Sequence, residues 1–530
     1  MLRVRRSGEF NKIVASLLAS RYNKLLSQLK IKNPGMRSGT HIYMALSPKL
    51  GPEQAAANMA DIAPRFTPQE ALIEANRCLF CFDAPCIQAC PTGIDIPSFI
   101  QKIANGNLTG SARTILSANI LGASCARVCP TSVLCEGACV VLDREGKAVQ
   151  IGRLQRYSTD HVYDNKIQVL KPATKKSGKK VAVLGGGPAG LGCAAELAQL
   201  GHDVTVFEKK PQAGGLNTYG IAYYKMPPQV SLEEVELVKS LGVQFKFSVE
   251  IGKDVQVADL EKQFDAIFVG LGLGRGHQMN IPGENLPEVI QALDFIEKLH
   301  TTPLHKVAVG ARVAVIGGGN TAIDAVTQAK RLGAEKAMLI YRRTQAEMSA
   351  YDFEQDLAKT DGAEFVFNAA PVEVIADCNG HVAGLKLART QLVNGKAEII
   401  PGQEWVEPVD MVIKAIGEPK QAELLKRLFP KIELDKRGAI VYDRATGATN
   451  LPKVFAGGDC ANGGREVVNA VGEGKKAARG IHATFVNQKV VGPVQQSRLG
   501  VKTAPVGSGL DKPIRVPELE KEYAKQAAAH

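Results

Sequence analysis

Eight of the eleven cysteines in this 530-residue chain fall between Cys78 and Cys139. They stand as Cys78-Leu-Phe-Cys81, Cys86 and Cys90-Pro91, then as Cys125, Cys129-Pro130, Cys135 and Cys139. An iron–sulfur cluster needs four ligands converging on a small cube. Short spacings let one loop wrap most of it, and a more distant cysteine closes the site. A proline directly after a ligand cysteine is common in such runs. Structural zinc sites use the same side chain, and a disulfide framework is the third use of dense cysteine. Disulfides fit poorly, because a chain this long buries a large core without staples and shows no secretory signal. Zinc stays open on the cysteines alone.

Two glycine-rich turns shift the balance. The first is Val181-Ala-Val-Leu-Gly185-Gly-Gly187-Pro188-Ala189-Gly190, followed by a helical segment and by the strand Asp203-Val-Thr-Val-Phe, which ends at Glu208. A G-x-G-x-x-G by itself is weak. Here it follows a strand, opens a helix and has an acid closing the next strand, which is the full dinucleotide context. The glycines let the backbone approach a pyrophosphate, and the helix N-terminus attracts its charge. Glu208 is placed to accept from ribose hydroxyls. The second turn is Val313-Ala-Val-Ile-Gly317-Gly-Gly319-Asn320-Thr321-Ala322. Its following strand ends in Arg342-Arg343 instead of an acid. Guanidinium groups there pair with a 2′-phosphate, so this site leans to NADP(H) over NAD(H). The segments from Asp265 and from Asp410, the latter reaching Ala415 and Gly417, are similar strand-plus-glycine pieces, each closing its own unit.

The fold class expected is therefore α/β: an N-terminal α-helical, cysteine-rich domain, then two Rossmann-like dinucleotide-binding domains. The expected division is 1–43, a basic extension or transit peptide; 44–170, a helical domain that the resemblance given below makes a double [4Fe–4S] domain; 179–295, 296–408 and 409–490, which the resemblance makes the first part of an FAD domain, an NAD(P) domain inserted in it and the second FAD part; and 491–530, a tail with a helix from Pro517. Thr67-Pro68-Gln69-Glu70 reads as a capping box that starts a helix delivering Cys78. Ile96–Gly106 and Ser111–Ala118 read as short helices between the cysteine groups.

Charge and composition bound the partners. The net charge is +12, there is one Trp, and basic residues are not interleaved with aromatics. A solvated basic surface fits better than nucleic-acid binding. No stretch reads as a membrane span. Residues 1–43 hold nine Lys and Arg with Glu9 as the sole acid. Such a composition, with a possible amphipathic helix from Val14, is that of a transit peptide or of a basic extension. The location expected is cytoplasmic, with the mitochondrial matrix as the alternative if that segment is a targeting signal.

Cys78-Leu-Phe-Cys-Phe-Asp-Ala-Pro-Cys-Ile-Gln-Ala-Cys-Pro and Gly122-Ala-Ser-Cys-Ala-Arg-Val-Cys-Pro-Thr-Ser-Val-Leu-Cys-Glu-Gly-Ala-Cys resemble the N-terminal region of dihydropyrimidine dehydrogenases. The small subunit of glutamate synthase shares the broader pattern. The resemblance covers about residues 60–487 and is nearest the NAD(P)H-oxidising subunit of the bacterial enzymes. It implies that Cys78, Cys81, Cys86 and Cys139 bind one [4Fe–4S] cluster, and that Cys90, Cys129, Cys135 and Gln155 bind the other. Cys125 has no ligand role in that pattern and is expected to be a buried thiol. A glutamine ligand is invisible to spacing rules. Relatives of the glutamate synthase type usually carry Glu there, so Gln155 favours the pyrimidine branch.

The resemblance further implies FAD on Gly185, Gly187, Pro188, Ala189, Gly190, Glu208, Lys209, Gly215, Leu216, Lys225, Gly458 and Asp459. It implies NAD(P)H on Gly317, Gly319, Asn320, Thr321, Arg342, Arg343, Ala415 and Gly417. Val454-Phe-Ala-Gly-Gly458-Asp459 resembles the flavin-closing segment of two-dinucleotide flavoproteins. The function implied is that of an electron-input subunit. NAD(P)H is oxidised through FAD, and single electrons leave via two clusters to an FMN/iron–sulfur partner that reduces uracil and thymine. No catalytic side chain is expected, since the cofactors carry the chemistry. After the first turn only Cys193, Cys378 and Cys460 remain, no two close in sequence, so a redox dithiol beside the flavin is not expected. The alternatives are a glutamate synthase small subunit or ferredoxin–NADP reductase-type subunit, and, in another class, a zinc-stabilised basic scaffold.

Overall fold

The computed structural model describes residues 50–487 and the backbone of two short strands, β14 (Val494–Gln496) and β15 (Lys502–Pro505). The helices expected from Val14 and from Pro517 lie outside the described residues. Eight described helices precede the first strand: α1 (Pro52–Asn58), α2 (Pro68–Asn76), α3 (Pro85–Gln88), α4 (Ile96–Ala104), α5 (Leu108–Ala118), α6 (Gly122–Val128), α7 (Val140–Glu145) and α8 (Ile151–Asp164). Helix α2 starts as its sequence dictates. Thr67 Oγ1 accepts the Glu70 N–H at 3.3 Å, and Glu70 Oε2 accepts the Thr67 N–H at 2.8 Å. Helix α5 begins three residues earlier than expected. Asn107 caps it by accepting the Gly110 N–H at 2.8 Å, a start that a glycine in the first turn concealed. Phe99, Ile100, Ile115, Val141, Ile151 and Leu154 fill one core under the cysteine loops.

Next come two parallel five-stranded sheets with the same internal order. The first runs β13-β4-β1-β2-β3, with β1 (Lys180–Leu184), β2 (Asp203–Phe207), β3 (Gln244–Lys246), β4 (Ala266–Val269) and β13 (Val454–Ala456). The second runs β5-β12-β6-β7-β8, with β5 (Val289–Gln291), β6 (Arg312–Ile316), β7 (Lys336–Tyr341), β8 (Glu364–Phe367) and β12 (Met411–Lys414). In each sheet the central strand, β1 or β6, is buried over four of its five residues. Both read as unbroken apolar runs because helices cover both faces of a parallel sheet. Helices α9 (Pro188–Gln199), α10 (Leu216–Tyr219), α11 (Pro228–Ser240) and α12 (Val257–Gln263) belong to the first unit. Helices α13 (Ala292–Thr301), α14 (Asn320–Arg331) and α15 (Asp352–Thr360) belong to the second. A three-stranded antiparallel sheet, β9 (Ala369–Ala376), β10 (Val382–Val393) and β11 (Lys396–Glu407), precedes β12. After it the chain returns through α16 (Ala422–Leu428) to β13, then α17 (Asp459–Asn462) and α18 (Val467–Val486).

The second unit is thus inserted between β4 and β13 of the first. Its limits differ from those expected at residues 296 and 408. Both β5 and β12 hydrogen-bond into the second sheet, so that sheet extends from Val289 to Lys414. Strand β5 is three residues long, too short to read by pattern. None of the described helices is long and apolar enough to cross a membrane.

Helix α18 holds the parts together. A Cβ on Gly474 would lie 2.1 Å from the Ala189 carbonyl oxygen of α9. A Cβ on Gly472, two residues and so about half a helical turn away, would lie 2.7 Å from the Pro91 carbonyl oxygen of the cysteine loop. The Lys475 ammonium donates to the Ala118 carbonyl at 2.6 Å, at the end of α5. Backbone contacts on opposite sides of one helix tie the cysteine loop to the first glycine turn. Replacing Gly474 by Ala forces α9 and α18 apart. The expected cost is about 1–3 kcal/mol of stability, despite the helix propensity alanine gains. Urea unfolding checks it; an unchanged midpoint contradicts the close approach.

Candidate cofactor-binding sites

Cys78, Cys81, Cys86 and Cys139 line one pocket, walled by Ala84, Ile96, Ile100, Val141, Val149 and Ile151. Helix α2 ends just before Cys78, α3 carries Cys86, and Cys139 caps α7, so three helices aim three thiols at one space and the loop after α2 adds Cys81. Burial pushes the Cys86 thiol up to about 12, and the neighbouring Cys78, Cys139 and Cys81 add to the shift. Thiols crowded in apolar surroundings resist ionising until a cationic centre takes the thiolates. Among the described residues no three such groups close on the tighter geometry of a single metal ion. The four cysteines surround a space, as the ligands of a four-iron cube must.

Cys90, Cys129 and Cys135 form the second group. The Cys129 thiol is raised well above its ordinary value by its hydrogen bond with Cys125, then by burial and the nearness of Cys90 and Cys135. Burial raises Cys135, with Glu136 and Cys90 contributing. Gln155 is buried on α8, and its Nε2 donates to the Gly122 carbonyl at 2.7 Å. That bond fixes the amide's orientation and leaves Oε1 as the end able to ligate iron. Helix α8 is held against α6 by Asp160, which accepts from Arg127 at 2.5 Å and from Arg156 at 3.2 Å. Cys125 is buried on α6. Both groups of residues fit [4Fe–4S] chemistry: soft thiolates with apolar walls and, in one, a neutral oxygen donor.

The first glycine turn is built for a pyrophosphate. Gly185 has φ +99°, and a Cβ there would strike the Gly270 carbonyl oxygen at 2.5 Å, so only glycine serves. Glu208, buried at the end of β2, accepts the Gly186 N–H and the Lys210 N–H, each at 2.8 Å. Its carboxylate is thereby locked beside the turn. Gly215 abuts Gly187, and the exposed Leu216 stands next to it. Gly458 packs on Ala189, which brings Asp459 to the start of α9. Burial pushes the Asp459 carboxyl up to about 6. Glu473 accepts the Gly458 N–H at 2.8 Å and an Asn462 side-chain N–H at 2.9 Å, shaping that segment. Lys209 is exposed. Lys225 was expected toward the flavin; its ammonium instead pairs with Asp324 of α14 and Glu354 of α15, both at 2.6 Å. It therefore clamps the two dinucleotide units together.

The second turn repeats the design. A Cβ on Gly317 would lie 2.2 Å from the Ala415 carbonyl oxygen, which places Ala415 and Gly417 at the closing edge of the turn. Asn320 opens α14 beside Thr321, and its side chain accepts the Tyr351 N–H at 3.0 Å. Arg342 is exposed, and Arg343 Nε is buried without a hydrogen-bond partner. Neither guanidinium makes an ion pair among the described residues, so both remain available to an anion.

Sequence reasoning missed Glu473, Lys475 and Glu234. Glu234 is fully buried on α11 and contacts α6; burial pushes its carboxyl up to about 7 against the pull of hydrogen bonds from Ser124 and Ala123. Glu234 and Lys475 act across long sequence gaps, Glu473 on the segment just before its own helix, and no local pattern marks any of them. Replacing Cys86 by Ser should halve the iron and acid-labile sulfide bound per chain, whereas Cys125→Ala should leave both at the native level. Equal losses in the two variants contradict the grouping.

Comparison with known proteins agrees with this architecture. Residues 55–167 match the family model described as dihydropyrimidine dehydrogenase domain II, 4Fe-4S cluster. Residues 179–474 match pyridine nucleotide-disulphide oxidoreductase. The glutamate synthase [NADPH] small chain of Escherichia coli (strain K12) is 36% identical over 441 residues, covering 79% of this chain and 93% of that one. The NAD-dependent dihydropyrimidine dehydrogenase subunit PreT of Salmonella typhimurium is 34% identical over 424 residues, covering 80% and 96%. The NADP(+)-dependent formate dehydrogenase subunit beta of Moorella thermoacetica is 34% identical over 456 residues, covering 80% and 63%. The chain belongs to the pyridine nucleotide-disulphide oxidoreductase family, as an FAD- and NAD(P)-dependent oxidoreductase that carries a [4Fe–4S] domain of the dihydropyrimidine dehydrogenase kind ahead of its flavin module.

Proposed function

We propose that this chain is the electron-input subunit of a dihydropyrimidine dehydrogenase, feeding an FMN/iron–sulfur partner that reduces uracil and thymine. The observation that carries the reading is Gln155: a buried amide, oriented by Gly122, where the resemblance implies Glu for relatives of the glutamate synthase type. When bound, the flavin exchanges a hydride with the nicotinamide and single electrons with the clusters. The chain's own residues do the positioning. Glu208 and the Gly185 turn hold the flavin nucleotide, the Gly317 turn holds the pyridine nucleotide, and Arg342 and Arg343 take a 2′-phosphate. The two cysteine groups, completed by Gln155, each hold a cluster.

The cysteines support exit through iron. None of the eleven is in a disulfide, Cys193 and Cys460 are buried apart from the cluster loops, and Cys378 is exposed on the β9–β10 turn. Cys193 and Cys460 lie in different core clusters, which speaks against a dithiol relay. Leu79 and Val140 line the pocket of Cys78, Cys81, Cys86 and Cys139, and Phe82, next to Cys81 in the chain, is 71% exposed. Large apolar side chains at the rim of a redox centre favour a docked protein partner. A second reading, the small subunit of a glutamate synthase, has the 36% identity in its favour.

Two outcomes check the proposal. The chain alone should reduce dyes with NAD(P)H and should support uracil reduction only with the FMN partner. Support of glutamine-dependent glutamate formation with a glutamate synthase large subunit, and not of uracil reduction, selects the second reading. Arg342→Ala should raise KM for NADPH roughly tenfold, about what one charge-assisted hydrogen bond supplies, with little change for NADH. Equal effects on both nucleotides contradict the 2′-phosphate role.

A further inference from the structure

Glu234 faces the iron–sulfur domain from within the flavin domain. Its Oε1 accepts the N–H of Ala123 at 2.8 Å and of Ser124 at 2.9 Å, and its Oε2 accepts the Ser124 hydroxyl. The carbonyl at the other end of the Gly122–Ala123 peptide accepts Gln155 Nε2 at 2.7 Å. One planar peptide unit therefore joins a buried carboxylate to the amide of Gln155. Conjugation makes such a unit a conductor of polarisation. Negative charge at the N–H shifts electron density to the carbonyl oxygen. The oxygen then pulls harder on the Gln155 amide hydrogen and leaves Oε1 richer in electrons. An amide is the one neutral donor among three thiolates, so its donor strength is the adjustable element of that set, and hydrogen bonding around a cluster sets its potential.

We propose that Glu234 is a positioning residue that acts through the Gly122–Ala123 peptide on Gln155, lowering the reduction potential of the Cys90/Cys129/Cys135 cluster and of that cluster alone. The proposal rests on the reading of Gln155 as a ligand. The competing account is structural: Glu234 merely ties α6 to α11. Those two roles separate in the isosteric amide. In Glu234→Gln, Oε1 can keep both backbone N–H bonds and the new NH2 can donate to Ser124 Oγ, so the tie survives while the charge is lost.

The test is an EPR-monitored redox titration of the full chain holding flavin and both clusters, on the alkaline side of neutral pH, where Glu234 is ionised. Glu234→Gln should shift the midpoint of one cluster upward and leave the other and the flavin in place. In a Gln155→Cys background, which lacks the amide hydrogen, the same substitution should produce no such shift. Equal shifts in both backgrounds mean that the charge acts through space and overturn the relay; no shift in either overturns it as well. If Gln155→Cys itself moves neither cluster, the ligand reading has failed, a result separate from the behaviour of Glu234→Gln. Ser124→Ala guards against misfolding, because it keeps the carboxylate and both N–H bonds. A native potential there, with a shifted midpoint of an intact cluster in Glu234→Gln, supports the relay; a shifted potential in Ser124→Ala, or loss of the cluster in Glu234→Gln, overturns it.

Discussion

Everything in this molecule depends on how near the cysteine loops come to the first glycine turn. Electron transfer between fixed centres weakens steeply with distance, so a domain that floats on a linker cannot serve as a conduit. Helix α18 supplies the nearness. Its small residues admit the Ala189 carbonyl on one side and the Pro91 carbonyl on the other. No larger side chain fits either approach without moving backbone. Lys475, on the same helix, holds the end of α5 and lies close enough to Cys90 to feel its charge. Burial lowers that ammonium from its ordinary value, with Glu196 opposing the shift. The charged groups are confined to a junction that apolar packing already fixes. Ala112, Leu116, Ile120 and Leu121 of the helical domain share one core with β1, α9 and α18.

The two glycine turns show how one solution is used twice with opposite electrostatics. Each sits between the central strand and a helix N-terminus, and each leans on the end of the neighbouring strand, β4 or β12, through Gly270 or Ala415. The difference lies at the end of the next strand. Glu208 there is buried and locked by two backbone donors, as a partner for hydroxyls should be. Arg342 and Arg343 there make no ion pair among the described residues, as partners for an anion should not. Between the units, Lys225 with Asp324 and Glu354 forms a largely buried ion triad. Removing one member of such a group strands the others, so the triad fixes domain orientation more than it adds stability.

Much of this could be read from the chain because its causes are local. A capping box, a strand followed by a glycine turn, and closely spaced cysteines each declare themselves within a dozen residues. The limits of the inserted unit were misjudged because β5 is three residues long and its role appears only when it pairs with β12. The orientation of Gln155, the buried Glu234 and the grip of Lys475 were not legible at all. Their partners, Gly122, Ala123 and Ala118, lie far away in sequence and are main-chain atoms, which leave no mark on residue type. Lys225 was legible as important and misassigned in direction. Its two carboxylates come from another sheet.

The central claim is that electron pairs entering from a nicotinamide leave singly through iron–sulfur centres. Low-temperature EPR after anaerobic addition of NADPH tests it most directly. The account predicts signals of reduced [4Fe–4S] clusters that appear in the flavin-loaded protein and fail to appear after the flavin is stripped. Bleaching of the flavin with no iron–sulfur signal, in protein that contains iron and sulfide, would contradict it.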